Sequence, residues 1–209
     1  TGFWETIYMT LVSTALGYAI GLPLGVTLAV TGKGGIRENK VVYRILDVIS
    51  NVIRSIPFLI LLILIIPLTR FLVGKSYGSS ATIVPLVIAA APFIARMVES
   101  SLQEVDEGVI EAAKSMGAGT WTIIFRVLLV EARTSLIVGV TIALGTILGY
   151  SAMAGVVGGG GLGDIAIRYG YYRYQTDIMV VTIVILVLIV QVLQALGMML
   201  SKKLDRRNK

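Results

Sequence analysis

Glu111-Ala112-Ala113-Lys114-Ser115-Met116-Gly117-Ala118 lies in the longest polar interruption of an otherwise apolar chain. Asp106 is placed to cap a helix, its carboxylate accepting an orphan N–H of the first turn. Glu107 adds negative charge where the helix dipole favours it. Val109, Ala112, Ala113 and Met116 share one helical face at steps of three and four. Gly117 is placed to end the helix in the left-handed conformation, and Thr120 to cap a second helix over residues 121–131. The stretch therefore predicts helix, tight glycine turn, helix. Two alanines fall in the middle of the first helix's exposed face, where small side chains let another surface come close. The plainer alternative is a connector between two spans, and the rest of the chain has to decide.

The chain has 209 residues, 56% hydrophobic and only 14% charged, with a mean hydropathy of +0.88. Soluble domains carry about a quarter charged residues. This is an integral membrane protein, with room for five or six spans of about 20 mainly apolar residues each. Cys is absent, which excludes disulfides and thiolate metal sites. His is absent too, which removes the commonest general base and metal ligand; no metal site is expected. A net charge of +6 would fit a nucleic-acid binder, but the basic residues flank apolar runs, as the positive-inside rule requires. The chain begins at Thr1, so residues before it are expected. Residues 1–5 carry no basic n-region of a cleavable signal peptide.

The apolar runs predict an all-α protein with five transmembrane helices, at about residues 6–30, 56–73, 81–98, 132–157 and 178–200. Gly17, Gly21 and Gly25 recur every four residues in the first, a small-residue face for close helix packing. Pro23, Pro85 and Pro92 are tolerated in membrane spans. Arg44, Asp47, Asn51 and Arg54 fall near one face of an amphipathic stretch over residues 41–54, which places it at the membrane interface. Ser55-Ile56-Pro57 is a bend. Residues 74–80 and 158–177 are external loops, residues 99–131 a loop on the other side, and Ser201 opens a basic tail. No repeat or linker interrupts residues 1–209, which read as one domain.

Counting charge orients these spans. With residues 31–54, 96–133 and 202–209 inside, 14 Lys and Arg residues lie inside against 4 outside: Arg70, Lys75, Arg168 and Arg173. That ratio gives an N-out, C-in topology and puts the 99–131 loop in the cytoplasm.

Two motifs exclude more than they assign. Thr31-Gly32-Lys33-Gly34 looks like the end of a phosphate loop, but Thr27 stands where that motif needs Gly and Gly34 where it needs Ser or Thr. No ATP site is expected in this chain. Gly158-Gly159-Gly160-Gly161-Leu162-Gly163 contains GxGxxG without the strand a dinucleotide site needs; it reads better as backbone packing closely at a dimer axis. The spans hold no carboxylate pair, nucleophile–base pair or metal cluster, so no catalytic residue and no enzyme activity are expected. Scarce intramembrane charge argues against a proton- or ion-coupled carrier. Arg168, Tyr169, Tyr172 and Arg173 crowd the outer loop, either as an interfacial aromatic belt or as a docking surface.

The Glu-Ala-Ala stretch, with Gly117-Ala118 and the apolar run to Leu128-Leu129, resembles the coupling loop of ABC importer permeases. Val130 departs from the Leu-Pro usual near the end of that loop, which bears on how the chain leaves it. Arg54-Ser55-Ile56-Pro57-Phe58, residues 91–99 and Gly149-Tyr150-Ser151-Ala152-Met153 extend the resemblance over the whole chain and bring it nearest the methionine ABC importer permease family. The resemblance implies the type I importer permease fold, working by alternating access as a homodimer in the bacterial inner membrane, with import of methionine (D or L) or a related amino acid. It implies two cytoplasmic ATPase subunits, which would hold the ATP and Mg, and an extracytoplasmic binding protein or lipoprotein. It assigns ATPase coupling to Glu111, Ala112, Ala113, Lys114, Gly117 and Ala118. The pathway or gate falls to Tyr150, Ser151 and Met153, and binding-protein docking to Arg168, Tyr169, Tyr172 and Arg173. A permease for another solute, of the betaine or phosphonate type, and an ATP-independent carrier or channel are the alternatives.

Overall fold

The structure, a computed structural model, describes residues 1–204, and these are helical with no strand among them. Arg206, Arg207 and Lys209 of the basic tail lie outside the described residues. Helix α1 (Gly2–Thr31) is followed by α2 (Lys40–Ser55), α3 (Phe58–Leu64), α4 (Ile66–Val73) and α5 (Ser79–Gln103). Helix α6 (Glu107–Ser115) leads into α7, residues 120–131, which is α-helical at Thr120–Thr122, π-helical at Ile123–Leu128 and α-helical again at Leu129–Glu131. Helix α8 (Arg133–Ala154), a 3₁₀ turn (Gly155–Val157), α9 (Gly161–Ile165) with a π-helical extension (Ala166–Tyr171) and α10 (Thr176–Leu204) complete the order.

Helices α1 and α5 form the centre, and glycine is the reason they can. A Cβ on Gly17 would lie 2.9 Å from Ile94 Cδ1, one on Gly21 2.7 Å from the Ala91 carbonyl oxygen, and one on Gly25 2.5 Å from the Ala95 carbonyl oxygen. Two of those three neighbours are backbone atoms, which no rotamer change can move aside. The four-residue repeat thus works as the sequence predicts, as a groove into which α5 fits. Around this contact Met9, Leu28, Leu86, Ile94 and Ile147 are wholly buried.

Among the described residues four helices are long and apolar enough to cross a membrane, and a bent pair taken as one span makes five. The pair is α2 and α3, which meet at 101° where Pro57 removes a backbone donor and restricts Ile56. Asn39 caps α2, its side chain accepting from the Val41 and Val42 amides at 3.2 Å each. The expected continuous span over residues 56–73 is in fact two short helices. The chain breaks at Ile65, whose backbone sits at φ −89°, ψ −1°, because Pro67 in the first turn of α4 cannot continue the ladder of α3. Together α3 and α4 reach about 24 Å at helical rise, short of a hydrocarbon core of about 30 Å.

Three more boundaries differ from the sequence reading. Helix α5 runs five residues past the expected end at 98, so the loop proper begins at Glu104. Thr120 does not cap α7: Gly119 is the capping residue and no side chain bonds there. The external loop expected over residues 158–177 is mostly helix, in α9 and its extension. The glycine run before it packs inside this chain. The Gly161 N–H donates to Glu5 Oε2 and the Leu162 N–H to Thr6 Oγ1, both at 2.8 Å, while Thr82 Oγ1 donates to the Gly159 carbonyl at 3.1 Å. Gly158, Gly160 and Gly161 have φ of +76°, +80° and +77°, which only glycine adopts without strain. The run's close packing is thus against α1 and α5 of its own chain.

Gly21→Leu should prise α1 from α5. We expect about 3 kcal/mol of destabilisation, at the upper end for overpacking of a tight core, read as an earlier thermal transition in detergent. Gly145→Ala, whose Cβ would meet only Gln194 Nε2 at 3.4 Å, should leave the transition unmoved. Equal transitions for Gly21→Leu and wild type would refute the glycine groove.

Candidate coupling loop and its surroundings

Helix α6 is short, and both of its ends are closed by the residues the sequence nominated. Asp106 Oδ1 accepts from the Gly108 N–H at 2.7 Å. At the other end the Gly117 N–H donates to the Lys114 carbonyl at 2.9 Å and the Ala118 N–H to the Ala113 carbonyl at 3.0 Å. With Gly117 at φ +78°, this pair of bonds is a Schellman motif. The turn aims α7 back under α6, and Ile123, Ile124 and Leu128 of its π-helical part enter the core with Val105.

This folding-back divides the six nominated coupling residues. Glu111, Ala112, Lys114 and Gly117 are exposed, and Ala118 is half-buried. Ala113 is only 5% exposed and joins the same buried cluster as Ile123 and Leu128. The expectation that both alanines lie on an exposed face is corrected: Ala113 packs inward and Ala112 outward. The reason is angular. Adjacent residues on a helix are about 100° apart, so a narrow helix lying on a hydrophobic floor presents only one of them to a partner. An apolar surface remains on the outside. Met116 is 81% exposed, Trp121 73% and Phe125 60%, with the two rings stacked at 5.9 Å. Trp121 and Phe125 escaped nomination, although their spacing of four on an expected helix was a usable signal.

The exit from the loop also has a definite geometry. Leu129-Val130 continue the helix, and the chain bends instead at Ala132, with φ −78° and ψ −2°. No proline is needed there because the bend uses a sparsely populated but allowed conformation. Beside the bend is a cleft of about 350 Å³ lined in part by Ser101, Glu104, Glu131 and Arg133.

Above the loop, one cluster joins α2 to α5. Arg96 donates from Nη1 to Glu99 Oε2 at 2.7 Å and from Nη2 to Asn51 Oδ1 at 3.2 Å, and it also pairs with Asp47. Glu99 is 4% exposed, so its charge is tolerable only with Arg96 beside it. Asp47 and Arg96 lie far apart in sequence, and nothing in their spacing announces the pair.

The remaining nominated residues fall in two places. Tyr150 stacks flat on Phe58, at 4.5 Å and 5°, tying α8 to α3. Ser151 is 1% exposed, with its hydroxyl donating to the Leu148 carbonyl at 2.7 Å, whereas Met153 is 52% exposed. At the opposite end from the coupling loop, Arg168 pairs with Asp164 at 2.7 Å. The Arg173 guanidinium sits 4.7 Å over the half-buried Tyr169 ring, and Tyr172 is exposed. Among the described residues no group of His, Cys, Asp and Glu could hold a metal ion.

Two substitutions should separate the turn from the floor beneath it. A Cβ at Gly117 would meet nothing within 4 Å, so Gly117→Val acts through φ alone, at about 1–2 kcal/mol; Gly117→Asn, which tolerates that conformation, should retain most of the stability. Ala113→Asp buries an unpaired carboxylate and should loosen the loop itself, seen as faster amide exchange across residues 105–128. Unchanged exchange in Ala113→Asp would mean that Ala113 is not part of the floor.

Comparison with known proteins agrees with this geometry. A model of the family described as the binding-protein-dependent transport system inner membrane component matches residues 21–209. The chain is 51% identical over 207 residues to the probable D-methionine transport system permease protein MetI of Vibrio cholerae, spanning 99% of this chain and 92% of that one. It is 48% identical over 204 residues to the methionine import system permease protein MetP of Bacillus subtilis, spanning 98% and 92%. Among solved structures, a chain of the MetNI methionine ABC transporter in an inward facing conformation superposes with a TM-score of 0.97 at 49% identity, covering 98% of this chain and 95% of that one. An amino acid ABC transporter crystallised with histidines shares the fold, with a TM-score of 0.79 at 20% identity. The chain therefore belongs to the family of binding-protein-dependent transport system inner membrane components, as a permease subunit with the type I ABC importer fold.

Proposed function

We propose that this chain is the permease subunit of an ATP-driven importer of methionine or a closely related amino acid, working as a homodimer in the bacterial inner membrane. The observation that carries this reading is the loop formed by α6 and α7. It is a rigid, capped element with a small exposed residue, Ala112, flanked by the exposed apolar side chains of Met116, Trp121 and Phe125. A surface of that kind suits insertion into the groove of a partner. The 14-to-4 charge distribution supports a cytoplasmic position for it and an N-out orientation of the chain.

In this reading two ATPase subunits hold ATP and Mg and grip the loop of each permease. Glu111, Ala112, Lys114 and Gly117 make the contact, and Ala113 and Ala118 support it from below. ATP-driven closure of the ATPases then shifts the balance between two permease states. Similarity to a permease in an inward facing conformation supports taking the described arrangement as the inward-open state. Tyr150 and Met153 border the pathway. Met153 is exposed, and its flexible thioether suits a gate; buried Ser151 serves by fixing the end of α8. Arg168, Tyr169, Tyr172 and Arg173 form the opposite surface, to which an extracytoplasmic binding protein delivers substrate.

Ala112→Arg and Trp121→Ala should both insert and dimerise, since neither touches a span. Ala112→Arg should lose at least about ten-fold in association with the ATPase, the scale expected when a contact at the centre of an interface is lost. The measurement is co-purification of the ATPase, with substrate-stimulated ATP hydrolysis in liposomes. Normal association and coupled transport in both variants would reduce the loop to a connector. Light scattering of the complex should find two copies of this chain, and a single copy would contradict the dimer.

A further inference from the structure

A shallow groove of about 480 Å³ runs along α2, lined by Lys40, Val41, Arg44, Ile45, Val48 and Ile49. Because α2 turns 101° from α3, it lies roughly in the membrane plane if α3 heads across the membrane. Steps of three and four place Val41, Ile45, Val48 and Val52 on one face, exposed at 68%, 55%, 51% and 56%. The other side of α2 is taken up by the chain: Ser50 is buried, and Asp47 and Asn51 bind Arg96. Lys40 and Arg44, one turn apart, sit at the border of the apolar face. Lys40 approaches only Glu38, at 3.9 Å with the Lys40 side chain 89% exposed. Arg44 is exposed and forms no ion pair among the described residues.

We propose that this groove binds an anionic glycerophospholipid of the leaflet on the chain's basic side. Lys40 and Arg44 hold the headgroup phosphate, and an acyl chain lies along Val41, Ile45 and Val48. Charge complementarity favours this occupant. The site offers two cations in reach of one another and an apolar trough beside them; of the acids nearby, Asp47 is committed to Arg96 and Glu38 meets only Lys40, at 3.9 Å, so Arg44 is left without an ion pair among the described residues and the site keeps a net positive charge. A second copy packed on the same face would bring two Lys40–Arg44 pairs together with only the Glu38 carboxylates to offset them, which is unfavourable. An amphipathic helix with basic residues at its polar border is also the form that anionic lipid surfaces recognise. The inference does not depend on what the protein transports.

The test is native mass spectrometry of the whole complex released from membranes holding equal phosphatidylglycerol and phosphatidylcholine. Wild type should retain phosphatidylglycerol in preference. Lys40→Gln and Arg44→Gln should each lower that preference about five-fold, the worth of one cation near an anionic surface, and the double variant should abolish it. Arg54→Gln, at the far end of the same helix and outside the groove, should change it little; a loss as large as for Arg44→Gln would mean diffuse attraction and overturn the site. Added inorganic phosphate should not displace the lipid, because the trough contributes to holding it. Displacement, or equal retention of both lipids by wild type, would also overturn the proposal. Val48→Cys should remain monomeric in this contact under oxidation, and a disulfide between two copies there would give the face to a dimer instead.

Discussion

Close backbone contact between α1 and α5 is the constraint on which the other elements depend. Gly21 and Gly25 bring carbonyls of α5 to where side chains would otherwise stand, and Gly17 admits the side chains of Ala90 and Ile94. That contact leaves room on one side for α8 and on the other for the Glu5 and Thr6 bonds to Gly161 and Leu162. In lipid no hydrophobic force drives helices together, so dispersion at short range has to do so. A glycine stripe is the means that allows the shortest range. Further from this centre the apolar side chains turn outward. Along α10, Val180, Val184, Val187, Leu188 and Val192 are all at least half exposed, as expected of a helix solvated by lipid or by a second copy.

The loop of α6 and α7 stands on the same framework. Helix α5 runs on to Gln103, so the loop is carried on a rigid stem; Arg96, held by Glu99 on the same helix, ties that stem to α2 through Asp47 and Asn51. A push on α6 is therefore transmitted into a packed helix. At its other root the loop ends in the bend at Ala132, with a cleft beside it.

Much of this was readable in the residues because local chemistry decided it. Asp106 as a cap and Gly117 as the left-handed terminator follow from what each side chain can or cannot do, and both stand as read. The bend at Ser55-Ile56-Pro57 follows from proline in the same way. The failures share a cause as well. The glycine run after Val157 was read as part of an external loop; here three positive-φ glycines lead into a helix whose N–H groups are taken by Glu5 and Thr6, over a hundred residues away. The break at Ile65 was missed because Pro67 was passed over within an apolar run that otherwise reads as continuous. The inward turn of Ala113 depends on the floor built by Ile123 and Leu128, which periodicity within α6 cannot reveal. The pairing of Arg96 with Asp47 likewise leaves no trace in either helix alone.

The central claim is that the exposed side of α6 is buried against an ATPase, and the absence of native cysteine allows a direct measurement. Ala112→Cys would be the single thiol in this chain, and its rate of maleimide labelling can be compared with and without the ATPase bound. The account predicts rapid labelling of the free permease and strong protection in the complex, with Ala113→Cys slow in both. Equal labelling of Ala112→Cys in the two states would contradict it.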